Sequence, residues 1–152
     1  MIIRKVRLEE LFKINEFWWE LISEQDFYDS RIVRSDLNNH RSSNFLREKI
    51  IKNSFFLVED ESQVIIAIGS LSQELHFLET SKNIWNIADI WVKKEYRRKG
   101  VATSLINFLE KIAESEGAEE IRLTVYSENT SAGHLYKSLG YNEIISTLSK
   151  TL

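Results

Sequence analysis

The residues of this 152-residue chain best placed to do chemistry lie in Trp85-Asn-Ile-Ala-Asp-Ile-Trp-Val92 and in the stretch just after it, Lys93-Lys-Glu-Tyr-Arg-Arg-Lys-Gly-Val-Ala-Thr103. A strand passes here into a basic, glycine-bearing turn that opens a long amphipathic helix. A helix start leaves backbone N–H groups without partners and carries partial positive charge, so it binds an anion wherever no side chain blocks the approach. Gly100 and Ala102 supply that clearance. The same residues also read as a solvated basic turn followed by a good helix former. The turn lacks the second glycine and the Gly-Lys-Ser/Thr ending of a Walker loop, and it lacks the three glycines of the dinucleotide fingerprint. Any phosphate would be held by a different kind of loop.

The elements that must position this turn follow from periodicity. Residues 2–6 read as a first strand, and residues 9–23 as a helix with Leu11, Ile14, Trp18 and Ile22 on one face. Residues 25–41 are polar and irregular, after which Ser42 or Ser43 is expected to cap a second helix ending near Lys52. Residues 54–59 and 63–72 are strand-like and flank a short turn at Asp60-Glu-Ser62, which suits an antiparallel hairpin. Residues 84–92 form a third long strand. Val101, Leu105, Phe108, Leu109 and Ile112 then follow helical spacing to a stop at Gly117.

Ile121, Leu123 and Val125 alternate with more polar neighbours, as in a half-buried strand. Residues 127–131 start another helix, with Ala132, Leu135, Tyr136 and Leu139 on one face and Gly140 at its end, and a last strand begins at Tyr141. The expected fold is a single mixed α/β domain over residues 1–152. Its mostly antiparallel sheet has about six strands flanked by about four helices.

Composition limits the chemistry. There is no Cys, and the three histidines, His40, His76 and His134, are scattered, so no metal site, thiol nucleophile or disulfide framework is expected. No stretch approaches the roughly 18 apolar residues of a membrane span, and no export signal is visible. The expected location is the cytoplasm, with no membrane partner. A net charge of −3 argues against a general nucleic-acid binder. The basic turn stands out within an acidic chain.

Two motifs together resemble the GNAT superfamily of N-acetyltransferases, most specifically over residues 84–141. Arg97-Arg-Lys-Gly100-Val-Ala102 is similar to the family pattern Gln/Arg-x-x-Gly-x-Gly/Ala at a strand-to-helix junction. Asn129, Ala132, Tyr136, Gly140 and Tyr141 match a second pattern, Asn-x-x-Ala followed by Tyr and a Gly-aromatic pair. The resemblance implies acetyl-coenzyme A as cosubstrate, its pyrophosphate on the backbone amides of Arg98, Lys99, Gly100, Val101, Ala102 and Thr103. Pantetheine would lie along Ile90, Trp91 and Val92 like an extra strand, in a gap where two neighbouring parallel strands splay apart. Arg97, Arg98 and Lys99 would add charge near the ribose phosphate, or remain solvated.

Asn129 is the implied side-chain contact to the cofactor; its other reading is a helix cap. Tyr136 is the implied acid for the departing thiolate; its other reading is a core aromatic. The implied reaction is direct attack by a primary amine, of a small molecule or a protein, in a ternary complex, and a homodimer is compatible with such a domain. The base is missing from its usual place, because Asn86 and Ala88 stand where several relatives carry a glutamate, and strand alternation aims Asp89 at the opposite face unless a bulge intervenes. Glu24, Asp26 and Asp29 fall in the region that often forms the acceptor side. A water relay, a carboxylate from the first two helices or Tyr126 as part of a relay would serve instead; without any of them, the alternative is a non-catalytic acyl-coenzyme A sensor or scaffold.

Overall fold

The computed structural model describes residues 1–29, 31–75 and 82–150. Its elements are β1 (Ile2–Lys5), a 3-10 turn at Leu8–Glu10, α1 (Leu11–Gln25), α2 (Asp36–Ile51), β2 (Phe55–Glu59), β3 (Ile65–Gln73), β4 (Ile84–Val92), a 3-10 turn at Lys94–Tyr96, α3 (Val101–Ser115), β5 (Glu120–Arg122) and α4 (Thr130–Ser138). One sheet carries the strands in the order β1-β2-β3-β4-β5. The first four pair antiparallel, and β5 joins β4 in parallel.

Side-chain alternation along β2 sends its residues into two cores. Phe56 and Val58 meet Leu71, Ile87 and Val92 under α3, whose Leu105, Ile106 and Leu109 are fully buried. Phe55 and Leu57 meet Ile14, Phe17, Leu46, Ile68 and Trp91 under α1 and α2. The sheet is therefore covered on both faces, as its near-continuous apolar β2 and β3 require.

Several boundaries and faces differ from the sequence reading. In α1 the buried residues are Ile14, Asn15, Phe17, Trp19 and Leu21, while Leu11, Trp18 and Ile22 are only partly buried. The stripe turns because α1 packs on α2 as well as on the sheet: Trp19 Nε1 donates to Ser42 Oγ at 3.2 Å, and Ser42 Oγ donates to Asn15 Oδ1 at 2.7 Å. Ser42 is thus an interior helix residue and not a cap. The cap is Ser35, whose Oγ accepts from the Asn38 amide at 3.2 Å.

Among the described residues the sheet has five strands, close to the expected six or so. β5 ends at Arg122 instead of running to residue 126, and no strand forms over residues 141–150. Tyr141 turns back onto α3 instead, its hydroxyl donating to Glu110 Oε1 at 2.7 Å. The final helix begins at Thr130, after a turn in which the Asn129 amide donates to the Tyr126 carbonyl at 2.9 Å. Strand β4, helix α3 and the left-handed glycines Gly117 and Gly140 stand where the sequence placed them. No helix among the described residues is long and apolar enough to cross a membrane.

Candidate functional site

β4 and β5 pair only at Ile84↔Glu120, Trp85↔Ile121 and Asn86↔Arg122. β4 continues to Val92, so residues 87–92 keep an unpaired edge on the side β5 has left. An unpaired strand edge is a row of amide donors and carbonyl acceptors awaiting partners. Ile90 packs tightly across β3 at this stretch, since a Cβ at Gly69 would come within 2.7 Å of Ile90 Cδ1.

The edge leads into the basic turn. Gly100 sits at φ +79°, Arg98 at φ +59°, and α3 begins with no side chain capping it. The amides of its first turn are left to an outside acceptor. A Cβ built on Gly100 would meet nothing within 4 Å, so the space above these amides is open. Val101 is buried under the helix while Ala102 and Thr103 are partly exposed, and Arg98 and Lys99 are exposed. An uncapped helix start, left-handed residues and clear space fit a diphosphate, and the open β4 edge fits an amide-bearing arm.

The turn is held from two sides. Tyr96 donates its hydroxyl to Asp60 Oδ2 at 2.8 Å in the β2–β3 hairpin. Arg97 donates from Nε to the Val92 carbonyl at 2.7 Å and from Nη2 to both Glu24 oxygens at 2.7 Å. Trp91 Nε1 also donates to Glu24, at 3.2 Å. Glu24 is therefore occupied in bracing the turn and is not an open carboxylate for an amine. Nothing in the local sequence pairs Glu24 with Arg97; the contact arises because α1 ends beside the end of β4.

A bulge does intervene in β4. Ser70 pairs with Ala88 but Ile68 with Trp91, and the extra residue accompanies Asp89 at φ +56°. Its carboxylate thereby joins the α1/α2 face, accepting from Ser70 Oγ at 2.6 Å, Lys49 Nζ at 3.1 Å and Trp18 Nε1 at 3.2 Å. Asp89 is bound into the scaffold. Asp29 is similarly engaged: its ion pair with Arg31 lowers its pKa to about 2, and Tyr126 donates to it at 3.4 Å. Above that contact Tyr28 and Tyr126 stack at 5.5 Å and 18°, joining the loop after α1 to the chain after β5.

Asn129 caps α4, its Oδ1 accepting from the Ala132 amide at 3.2 Å. Tyr136 packs with the α3-side core and stands edge-on to Tyr141 at 6.3 Å. Burial pushes its phenol above the ordinary value of 10. No group of His, Cys, Asp and Glu suited to a metal ion occurs among the described residues.

A sheet whose parallel pair ends early, with an uncapped helix start beyond it, presents open backbone donors and acceptors along β4 and at Gly100. The model of the acetyltransferase (GNAT) family matches residues 9–141, and the chain belongs to that family, whose donor is acetyl-coenzyme A. It is 37 % identical over 65 residues to a thialysine N-epsilon-acetyltransferase of Sus scrofa, covering 43 % of this chain and 38 % of that one. It is 31 % identical over 96 residues to an N-alpha-acetyltransferase of Sulfurisphaera tokodaii, covering 60 % and 58 %. The chain thus spans less than two thirds of the length of these relatives.

Two solved structures share the fold. A tetramutant of the BH1408 protein of Bacillus halodurans aligns over all of both chains with TM-score 0.83 and 19 % identity. A predicted acetyltransferase from Clostridium acetobutylicum, solved with acetyl-coenzyme A, aligns over 99 % of this chain and 95 % of its own with TM-score 0.77 and 17 % identity.

Proposed function

We propose that the chain transfers the acetyl group of acetyl-coenzyme A to a primary amine by direct attack in a ternary complex. The observation that carries this reading is the parted β4–β5 ladder opening onto the uncapped amides at Gly100. Pyrophosphate would be held by the amides of Arg98, Lys99, Gly100, Val101, Ala102 and Thr103, and the pantetheine arm by the free edge at Ile90, Trp91 and Val92. Arg98 and Lys99 are exposed beside that cradle, whereas Arg97 serves it by bracing the turn. The free side-chain nitrogen of Asn129 is the remaining candidate contact.

An alkylamine of pKa about 10.4 is almost wholly protonated at pH 7, and removing its proton against a gap of about three units costs roughly 4 kcal/mol. A base must therefore sit beside the acceptor. The neutral amine then attacks the thioester carbon, a β4 backbone amide stabilises the oxyanion, and the carbon–sulfur bond breaks. Tyr136, kept protonated by burial, is suited to return a proton to the thiolate. The named relatives support an amine acceptor, on a small molecule or at a protein N-terminus.

Asn86 and Ala88 favour one second reading, an acyl-coenzyme A sensor without catalysis. Calorimetry with acetyl-coenzyme A, coenzyme A and duplex DNA tests the donor site, and a dissociation constant above tens of micromolar for both thio-nucleotides would end both readings. Thiol release across a panel of amines separates enzyme from sensor.

A further inference from the structure

The missing base is the main chemical gap in the acetyltransferase reading, on which this inference rests. Several carboxylates line the acceptor face, and a base must lie where the thioester arrives. If the diphosphate lies at Gly100, the arm runs back along residues 92 to 87, on the order of 20 Å of extended edge at about 3.3 Å per residue. Its sulfur end reaches the closed end of the gap, where Asn86 pairs with Arg122.

A third residue meets this pair. Beyond β3, the Glu74 amide donates to the Ile84 carbonyl at 2.8 Å, continuing the ladder. Ser70, Ser72 and Glu74 alternate onto the α1/α2 face, as Asn86 and Arg122 do opposite them. Asn86 Nδ2 donates to Glu74 Oε2 at 3.3 Å, and Arg122 Nη1 lies 3.4 Å from Glu74 Oε1. The Glu74 side chain is 20 % exposed, sheltered but reachable by water. The position in β4 that lacks a carboxylate is thus touched by one supplied from just past the end of the neighbouring strand. Glu24 braces the far end of β4 and Asp29 stands beside Tyr126 beyond β5, while Asp89 shares the α1/α2 face but lies at the bulge, past Asn86 on the way to the turn.

We propose that Glu74 is the general base of the transfer, taking the amine proton directly or through one water while Asn86 and Arg122 hold its carboxylate at the closed end of the gap. The proton moves from the ammonium to Glu74, the nitrogen lone pair forms the new carbon–nitrogen bond, and the thioester electrons leave with sulfur. The intermediate's second nitrogen proton is released to solvent, Tyr136 gives its phenolic proton to the thiolate and regains one from solvent, and Glu74 returns its proton to solvent.

The test compares wild type with Glu74→Gln, Glu74→Asp and Arg122→Met, using spermidine, thialysine and an alanine-started peptide as acceptors. Glu74→Gln is expected to lower kcat at pH 7 by about 100-fold or more, with acetyl-coenzyme A affinity within about twofold of wild type. Its deficit should shrink towards alkaline pH, where the amine loses its proton unaided, so the acidic limb of the kcat/KM profile should move up towards the pKa of the amine. Glu74→Asp should keep the wild-type position of that limb at reduced kcat, as should Arg122→Met. An undiminished kcat in Glu74→Gln overturns the proposal, and so does a pH-independent loss that Arg122→Met reproduces. If the Gln variant does not fold, Glu74→Asp decides, an unchanged kcat again overturning it. Wild type that binds acetyl-coenzyme A but acetylates none of the amines would remove the base and the transferase reading together. Failure to bind the donor would remove the donor site first.

Discussion

Ser70 Oγ donates to Asp89 Oδ2 at 2.6 Å across the β3–β4 pair, at the place where the register between those strands slips. Asp is among the residues that tolerate a left-handed backbone, and here its side chain is also tied to Lys49 and Trp18. The bulge is thus fastened from the α1/α2 face while the opposite edge of β4 is left open.

Removing that fastening should cost stability before it touches chemistry. Asp89→Ala leaves Lys49, whose side chain is 18 % exposed, without its counter-charge. A loss of about 1–3 kcal/mol is expected, discounted for the remaining exposure, as a lower urea midpoint with unchanged slope.

Gly100 separates strain from blockage. At φ +79° a valine is strained whatever the space around it, so Gly100→Val should lose roughly 1–2 kcal/mol of stability as well as donor affinity. Gly100→Asn, which tolerates this backbone better, should fold nearly normally. Its side chain would still enter the open space above the amides, and coenzyme A affinity measured by calorimetry should fall about tenfold or more.

The Glu24–Arg97 pair is 35–37 % exposed, so its own contribution to stability should be below about 1 kcal/mol. Its effect on the turn should be larger. Glu24→Gln is expected to weaken coenzyme A binding by about threefold to tenfold, with little change in Tm. The same substitution should leave binding of pantetheine, which lacks the diphosphate, unchanged.

Acid should first loosen the β1–β2 edge. Arg4 Nη2 donates to Glu10 at 2.7 Å and to Glu59 at 2.6 Å, and the Arg4 contact lowers the Glu10 pKa to about 2. A carboxyl lowered on folding contributes stability that is full above its unfolded value of about 4.5 and is lost as pH falls through 2. Urea titrations between pH 5 and pH 2 should show this decline, and Glu10→Gln should flatten part of it.

Tyr136→Phe should reduce single-turnover acetyl transfer only modestly, because a thiol of pKa about 8.5 is already a tolerable leaving group. Burial raises the phenol above 10, so its ionisation should add no basic limb to the wild-type rate below that pH. An unchanged single-turnover rate in the variant would remove Tyr136 from the proton route.

The part of the site legible in the sequence is the part written in consecutive residues. β4, the basic turn and α3 share one continuous pattern of apolar spacing and glycine, and the structure keeps them in place. The start of α2 was hidden because Asp36-Leu-Asn-Asn-His-Arg41 is mostly polar and shows no apolar period, although Ser35 was a capable cap. The extra strand at Tyr141 failed because an aromatic after a helix-ending glycine serves as well for packing back on α3. Asn86 and Arg122 come from two strands and Glu74 from the residue just past a third, and their meeting depends on register, which no local spacing encodes.

The open edge of β4 also bears on colloidal behaviour. Unpaired strand edges are templates on which other chains add, and proteins ordinarily blunt them with charge, proline or cover. This chain has no proline, and residues 87–92 of β4 keep an open edge beyond the last pairing with β5. An amide-bearing arm laid along that edge would take the same donors and acceptors that another chain would use. The donor would then act as a stopper on an aggregation-prone seam, making the ligand-free protein the form most at risk of self-association during purification and storage.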